Sequence, residues 1–460
     1  MYFCDLPEDL LIGVAYCCDV ASVLNLGQTC KHLYAISRTK SVWISIINDL
    51  KVRGFVDERA APDASNLPFE GLVEVIRRIL DGPRSWRLAE GGNTFEPKVK
   101  HHIEVQYRAT AGPFLPNLKL VPGGQYFMMR DVDDPRGLEC WDIYLQCRVW
   151  RLPWPEILQP EHVVSEYAVV RKESGVLLLA VLFNKEHTDD PRLEVSEVDL
   201  RPAVPVYTLH CSAKIPAWRI LSFVADSDLI VLAPLIEGDT ILFNWRTNSV
   251  GMLANQTREV MAIAAAPGFI ALLLSPDNSG AVVQIIDAQS INEHLHYVDE
   301  TSHPQPDPRV PIILFNPVFA HQLPAFNPYE APHGIVVFSS PLADNMYRIW
   351  AATDSGQDEH GREDAGSLHR LEVVYNARST EPPLLRSIVS PQEPGGQPDM
   401  PSLAFSGHWA SISTVWLQVV HPEGWHEIIK DMDNLLLAPY AGACITIRLG
   451  EGKVQVLYFE

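Results

Sequence analysis

From about residue 100 the chain repeats one pattern: a short apolar strand, a polar turn, and a second strand ending in an aromatic or acidic residue. GGQYFMMR is followed by LECWDIYL, VLLLAVLF by RLEVSEVDL, and DLIVLAPL by TILFNWRTNSV. GFIALLLS then precedes AVVQIIDAQS, HGIVVFSS precedes MYRIWAATDSG, and GACITIRL precedes KVQVLYFE. Runs rich in β-branched and aromatic residues, bounded by Pro, Gly, Asn and Asp, read as strands. The second members end near Trp141, Asp199, Trp245, Asp287, Trp350 and Phe459, at separations of 58, 46, 42, 63 and 109 residues. The last interval has room for one more unit, around FSGHWASISTVWLQVV.

Strand-only repeats of about 40–60 residues predict the blades of a β-propeller, six or seven in this chain. One four-stranded blade cannot bury both of its faces, so neighbours must stack, and a ring leaves only protected edges. KHHIEVQY opens the β region and KVQVLYFE ends it, so the first strand is expected to complete the last blade. Trp141 is expected to pack between blades. Three interruptions, ATDSGQDEHGREDAGSLH, SPQEPGGQPDMPS and DETSHPQPDPRVP, read as exposed loops.

Ahead of residue 100 the apolar period becomes helical: Leu6, Leu10, Leu11 and Val14, then Val23, Leu24, Leu26, Cys30 and Leu33. Asp5 can cap the first helix with Pro7 in its first turn, and Asp19 can cap the second. Ser41 precedes VWISII, a third short amphipathic piece carrying Trp43. Residues 51–66 are polar and suit a connection. In LPFEGLVEVIRRILDGPRSW, Leu72, Val75, Ile76, Ile79 and Leu80 form one stripe that Asp81-Gly82-Pro83 stops, which predicts a bridging helix. The expected organisation is a small all-α head at 1–50, a helical linker at 51–95 and an all-β propeller at 96–460.

Composition narrows the partners. Lys plus Arg total 36 against 57 Asp plus Glu, a net charge of -21, so phosphate backbones are repelled and nucleic acid is not expected as a partner. No apolar run approaches the roughly 20 residues of a membrane helix, so no membrane partner is expected. Asp5, Glu8 and Asp9 stand where a secretory signal wants basic residues. Eight cysteines are scattered without a CxxC pair, which suits reduced thiols in the cytoplasm or nucleus. Adjacent Cys17 and Cys18 on a helix point about 100° apart and are poorly placed to share a metal.

The search for chemistry comes back empty. GQDEHGRED crowds acids around His360, yet no second histidine follows at i+4 and the stretch reads as a solvated loop. His101 and His102 are consecutive in a strand, so they face opposite sides. No phosphate loop and no GxSxG elbow occurs, and Trp141-Asp142 reads as the structural end of a strand. No catalytic residue, metal or cofactor is expected.

The spacing Leu6-Pro7-x-Asp9-Leu10-Leu11, Val14, Val23-Leu24-x-Leu26, Thr29-Cys30-Lys31-x-Leu33 and Trp43 resembles the F-box. The resemblance covers residues 5–50. It implies a helical module that docks on a Skp-type adaptor, and through it on a cullin in a ubiquitin ligase. Carried over by position, the resemblance implies that Leu6, Pro7, Leu10, Leu11, Val14, Leu24 and Leu26 form the adaptor-binding set, each facing the adaptor or packing the helices, and that Cys30, Leu33 and Trp43 form the F-box core. Ala15, Cys18 and Ser22 depart from the family pattern and thin the apolar stripe. WDIYL and FNWRTNS resemble blade ends of the divergent WD-repeat propellers that accompany F-boxes in fungal proteins.

Three short helices in about 45 residues bury little on their own, so their surplus leucines suit a partner's surface or the body of the protein. Three functions are then open: a substrate receptor of a ubiquitin ligase, a scaffold that binds the adaptor without directing ubiquitination, or a propeller enzyme with its site in the channel. The first is the leading expectation. It requires no catalytic residue, since the receptor only raises the target's effective concentration. The target and its contact residues are not readable from the sequence.

Overall fold

The computed structural model describes residues 3, 6–56, 63–86, 99–106, 118–131, 134, 136–153, 162–185, 191–215, 220–226, 228–234, 240–253, 260–277, 280–297, 312–313, 317–323, 332–353, 367–376, 384–389, 405–406, 409–413, 416–421, 424–430, 434–437, 440, 443–448 and 453–459. The stretches around His360 and the two Pro-rich interruptions lie largely outside the described residues.

The head contains four helices before residue 53, one more than the apolar pattern predicts: α1 (Glu8–Tyr16), α2 (Val20–Thr29), α3 (Lys31–Ser37) and α4 (Lys40–Val52). The stretch expected as one second helix breaks at Cys30, whose extended backbone (φ -157°, ψ 165°) ends α2 and starts α3. Asp19 caps α2 as expected, accepting from Ser22 N at 2.7 Å. Pro7 sits at the N-cap of α1 and not inside its first turn, and Asp5 lies outside the described residues. Thr39, not Ser41, precedes the helix that carries Trp43. A fifth helix, α5 (Phe69–Asp81), follows the predicted stripe, burying Leu72, Ile76 and Ile79.

These three residues share one core with Leu11, Ala15, Val23, Leu33, Ile36, Trp43 and Leu50. Helix α5 packs into the head's core and, through Arg78 to Phe459 O, also reaches the β body. Phe55 and Val56, in the stretch expected as a polar connection, are buried in the same core.

The β region forms seven antiparallel-rich sheets among the described residues. Strand β1 (Val99–Gln106) comes first in sequence. The next sheet is β2 (Leu118–Leu120), β3 (Tyr126–Arg130), β4 (Leu138–Asp142) and β5 (Cys147–Arg151), in that order. It is followed by β6 (His162–Glu173), β7 (Val176–Lys185), β8 (Arg192–Asp199) and β9 (Val206–Lys214). The third holds β10 (Ile220–Asp226), β11 (Leu229–Pro234), β12 (Thr240–Asn244) and β13 (Ser249–Leu253). The fourth holds β14 (Val260–Ala266), β15 (Phe269–Asp277) and β16 (Gly280–Asp287). After α6 (Ala288–Asn292), β17 (His296–Tyr297) and β18 (Ile312–Ile313) return to the edge of β13, while β19 (Phe319–Gln322) joins β16. The fifth is β20 (Pro332–Ser339), β21 (Met346–Thr353), β22 (Ser367–Val374) and β23 (Leu384–Val389). The sixth is β24 (Trp409–Ser413), β25 (Trp416–His421) and β26 (Gly424–Lys430). The seventh is β27 (Asn434–Leu437), β28 (Ala443–Arg448) and β29 (Lys453–Phe459), completed by β1.

Each of the six strand pairs read from the sequence is an antiparallel pair. The extra unit around FSGHWASISTVWLQVV supplies β24 and β25. The first β strand does complete the last sheet, with Val105 opposite Val454 and Ile103 opposite Val456.

Sheets stack through both faces. In β7 the alternate residues Leu177, Leu179, Val181 and Phe183 pack toward β3 and β4, while Leu178, Ala180 and Leu182 pack toward β11 and β12. Period-two alternation then puts apolar residues on both faces, which is why VLLLAVLF reads as an unbroken apolar run. First strands also touch in series: β6 with β10, β10 with β14, β14 with β20, and β24 with β27. Trp141 lies at such a junction, stacked on Phe127 at 6.3 Å in the cluster that joins β28 and β29 to the first full sheet.

Candidate functional site

Helical geometry sorts the leucines of the head into two groups. In α1, Leu11 and Ala15 point into the core, and Leu11 is only 2% exposed. Leu10 and Val14, four residues apart on one face, are 56% and 39% exposed. In α2, Val20 and Val23 are buried while Leu24 is 45% exposed. Pro7 is exposed, and Leu6 and Leu26 are half-buried against the head's core. Of the seven residues in the adaptor-binding set, Leu11 takes the helix-packing place and fills the core. Pro7, Leu10, Val14 and Leu24 remain outward.

The expected core trio also divides. Leu33 and Trp43 are buried. Trp43 donates from Nε1 to Ser37 O at 2.6 Å and meets Phe69 of α5 edge-on, with centroids 5.6 Å apart. Cys30 is a correction, since it is exposed. Its Sγ accepts from Leu33 N at 3.5 Å, so it caps α3 at the junction instead of filling the interior. At the end of α1, burial and then the Asp19 charge push the Cys18 thiol up, which keeps it protonated.

Beside Leu24 the head has a groove of 440 Å³, lined by Tyr34, Arg38, Trp43, Phe69, Val73 and Arg77 among others. Arg38 lies over the Phe69 ring at 4.4 Å. Apolar spacing does not single out Tyr34, Arg38 or Phe69 as surface groups. Tyr34, one residue on from buried Leu33 and turned about 100° from it, is 52% exposed.

The head's other side is docked on the β body. Ala21 N donates to Leu342 O at 3.0 Å, and Phe55 meets Tyr440 edge-on at 4.8 Å. Arg53 reaches Ser340 O at 3.3 Å and Asp344 at 3.0 Å, and Arg78 donates to Phe459 O at 2.6 Å. Ser340, Leu342 and Asp344 lie between β20 and β21, and Tyr440 lies between β27 and β28. Both are connections between the first and second strands of a sheet.

Elsewhere, Lys119 of β2 donates to Tyr167 O at 2.5 Å, and its burial lowers its pKa against the pull of Glu166. Among the described residues no group of three or more His, Cys, Asp or Glu could hold a metal, and no helix is long and apolar enough to cross a membrane.

The F-box domain family model matches residues 3–45. That stretch of the chain is an F-box domain. The match ends inside α4, so α5, which packs into the same core, lies beyond the matched residues. No curated protein matches the chain. Among solved structures, the WD40 domain of SCAP from fission yeast aligns at 11% identity over 74% of this chain and 81% of that one, with a TM-score of 0.43. Raptor from Chaetomium thermophilum aligns at 11% identity over 98% of this chain, at a TM-score of 0.44, and the chain spans only 42% of that protein. These are loose likenesses.

Proposed function

We propose that this chain is the target-receptor subunit of an SCF-type cullin ubiquitin ligase and is itself non-catalytic. Its F-box docks on a Skp-type adaptor through Pro7, Leu10, Val14 and Leu24, and the β body holds the target protein. The observation that carries this reading is the division of labour on the head. Its core is complete and one side is docked on the body, yet Leu10, Val14 and Leu24 still face outward. Burying such a side chain against a partner contributes roughly 1.5–3 kcal/mol, and nothing in the fold needs these three residues outside.

The seven sheets are read as the blades of one propeller closed by β1 on β29. In support, successive first strands touch, and neighbouring sheets share apolar clusters from β1 through β23. The head meets the body at connections between first and second strands. The opposite end, where second strands turn back into third strands, is then the surface left for a target.

The test is capture of the purified adaptor by the full-length chain and by a Leu10→Asp/Leu24→Asp variant. The wild type should retain the adaptor, and the variant should lose roughly tenfold or more in affinity, as central apolar contacts do. A wild type that fails to bind, or equal binding by both, removes the proposal.

A further inference from the structure

We infer that Arg171, on the β body, is a positioning residue that locks the F-box head and the body into one rigid unit. It thereby fixes where the docking face points relative to the target-holding end. Arg171 stands near the end of β6 and reaches out of its own sheet in two directions. Nη2 donates to Lys51 O of α4 at 3.0 Å, and Nη1 donates to Pro122 O, just after β2, at 3.3 Å. One guanidinium thus ties the head to two adjacent sheets.

The slot around this side chain is built from both sides. Gly54, just past α4, has φ +82°, and Gly123, in the β2–β3 turn, has φ +100°. A Cβ at Gly54 would come within 3.2 Å of Arg171 Cδ, and one at Gly123 would overlap Nη1. Two glycines, one from each part, occupy backbone conformations that L side chains rarely adopt, and both leave the space that Arg171 fills. Lys51 O also accepts from Gly54 N at 3.0 Å, so the arginine completes a helix-end carbonyl already engaged once.

Arg53 and Arg78 repeat the device at other sheets, donating to Ser340 O and Phe459 O. The acceptors in all three cases are backbone carbonyls. A planar guanidinium suits such multiple, directional bonding, and a neutral partner makes it less sensitive to salt than an ion pair. The Arg53–Asp344 pair, with Asp344 largely exposed, is the part that salt should weaken.

The geometry stands without the proposed function, while its consequence for ubiquitin transfer rests on it. The test uses spin labels at Ser41→Cys on the head and Thr208→Cys on the body, in a full chain with Cys4, Cys17, Cys18, Cys30, Cys147 and Cys211 replaced by serine, leaving only buried Cys140 and Cys444. The parent should give one narrow distance distribution, unchanged between low and high salt. Arg171→Met should at least double its width while adaptor affinity stays the same, and Arg171→Lys, which keeps the charge but not the fork, should fall between. In the reconstituted ligase the set of the chain's own lysines that become modified should widen in the same order. Parent-like widths in both variants overturn the inference. Should Arg171→Met fail to fold, the Arg171→Lys width decides alone. A parent chain that shows a narrow distribution but does not bind the adaptor sinks the proposed function and leaves the clamp standing.

Discussion

Leu10 and Leu11 are neighbours in sequence with opposite surroundings. A helix turns 100° per residue, so an apolar stripe wide enough to include both must face two surfaces at once. Periodicity marks the stripe but not the division, because a core and a partner ask for the same residue type. The division is testable. Leu11→Ala should cost about 2–5 kcal/mol of stability, as buried leucines do, with adaptor affinity falling only through unfolding. Leu10→Asp should leave the thermal midpoint within a few degrees and weaken adaptor binding, by less than the double variant does. Cys30 shows the reverse error: it holds an apolar-looking place in the pattern, yet its extended backbone makes it a cap, a role that chain geometry decides and spacing does not. His369 gave no signal at all in the sequence. It is buried in β22, and burial, with His321 nearby, lowers its pKa from 6.5 to about 4. Between those values the unfolded chain binds a proton that the folded chain refuses. Stability is therefore complete above the unfolded value and is lost as pH falls toward the folded one. At about 1.4 kcal/mol per pKa unit the loss amounts to about 3 kcal/mol. Denaturant midpoints of wild type and His369→Leu between neutral and mildly acidic pH should converge as the wild type loses this contribution; parallel curves would contradict it.

At the scale of elements, the strands were the legible part and the head's outer limit was not. A strand buried on both faces shows itself as a run such as VLLLAVLF, and its partner follows after a turn, so pairing is local and readable. Helix α5 was equally visible as a helix, through Leu72, Ile76 and Ile79, but its allegiance was not. A stripe tells that a helix is buried, not what covers it. Here Trp43 and Phe69 make the contact that draws α5 into the head. If that contact is structural, Ile76→Ala should destabilise the helical head by about 2–5 kcal/mol. Hydrogen exchange should then rise in α1 to α5 together while strands whose apolar clusters hold no residue of the head, such as β11 and β12, keep their protection. Faster exchange confined to α5 would instead mark it as a separate linker.

For the whole molecule, the decisive contact joins strands more than three hundred residues apart. Strand β1 lies beside β29, and Val105, Val454 and Val456 enter one cluster with Phe127 and Met129 of the next sheet. The pattern could suggest that the ends of the β region meet, since KHHIEVQY opens it outside any strand pair, but the register, Val105 against Val454, is fixed only by packing. A seam of this kind makes the first sheet and the last interdependent. Loop closure over such a length is entropically costly only in the logarithm of its length, so apolar burial across the seam can hold it shut. Val454→Ala removes part of a fully buried side chain and should cost about 1–2 kcal/mol from that burial. The more telling change is in cooperativity. If β1 closes the body, opening the seam exposes sheets on both sides, and the parent should unfold in one transition whether followed by tryptophan fluorescence or by far-ultraviolet circular dichroism. A Val105→Asp/Val454→Asp variant puts two like charges opposite each other in the seam. It should separate those two transitions, or lower the denaturant slope as part of the surface becomes exposed in advance. A single coincident transition with an unchanged slope in that variant would mean that β1 is an appendage and the body stands without it.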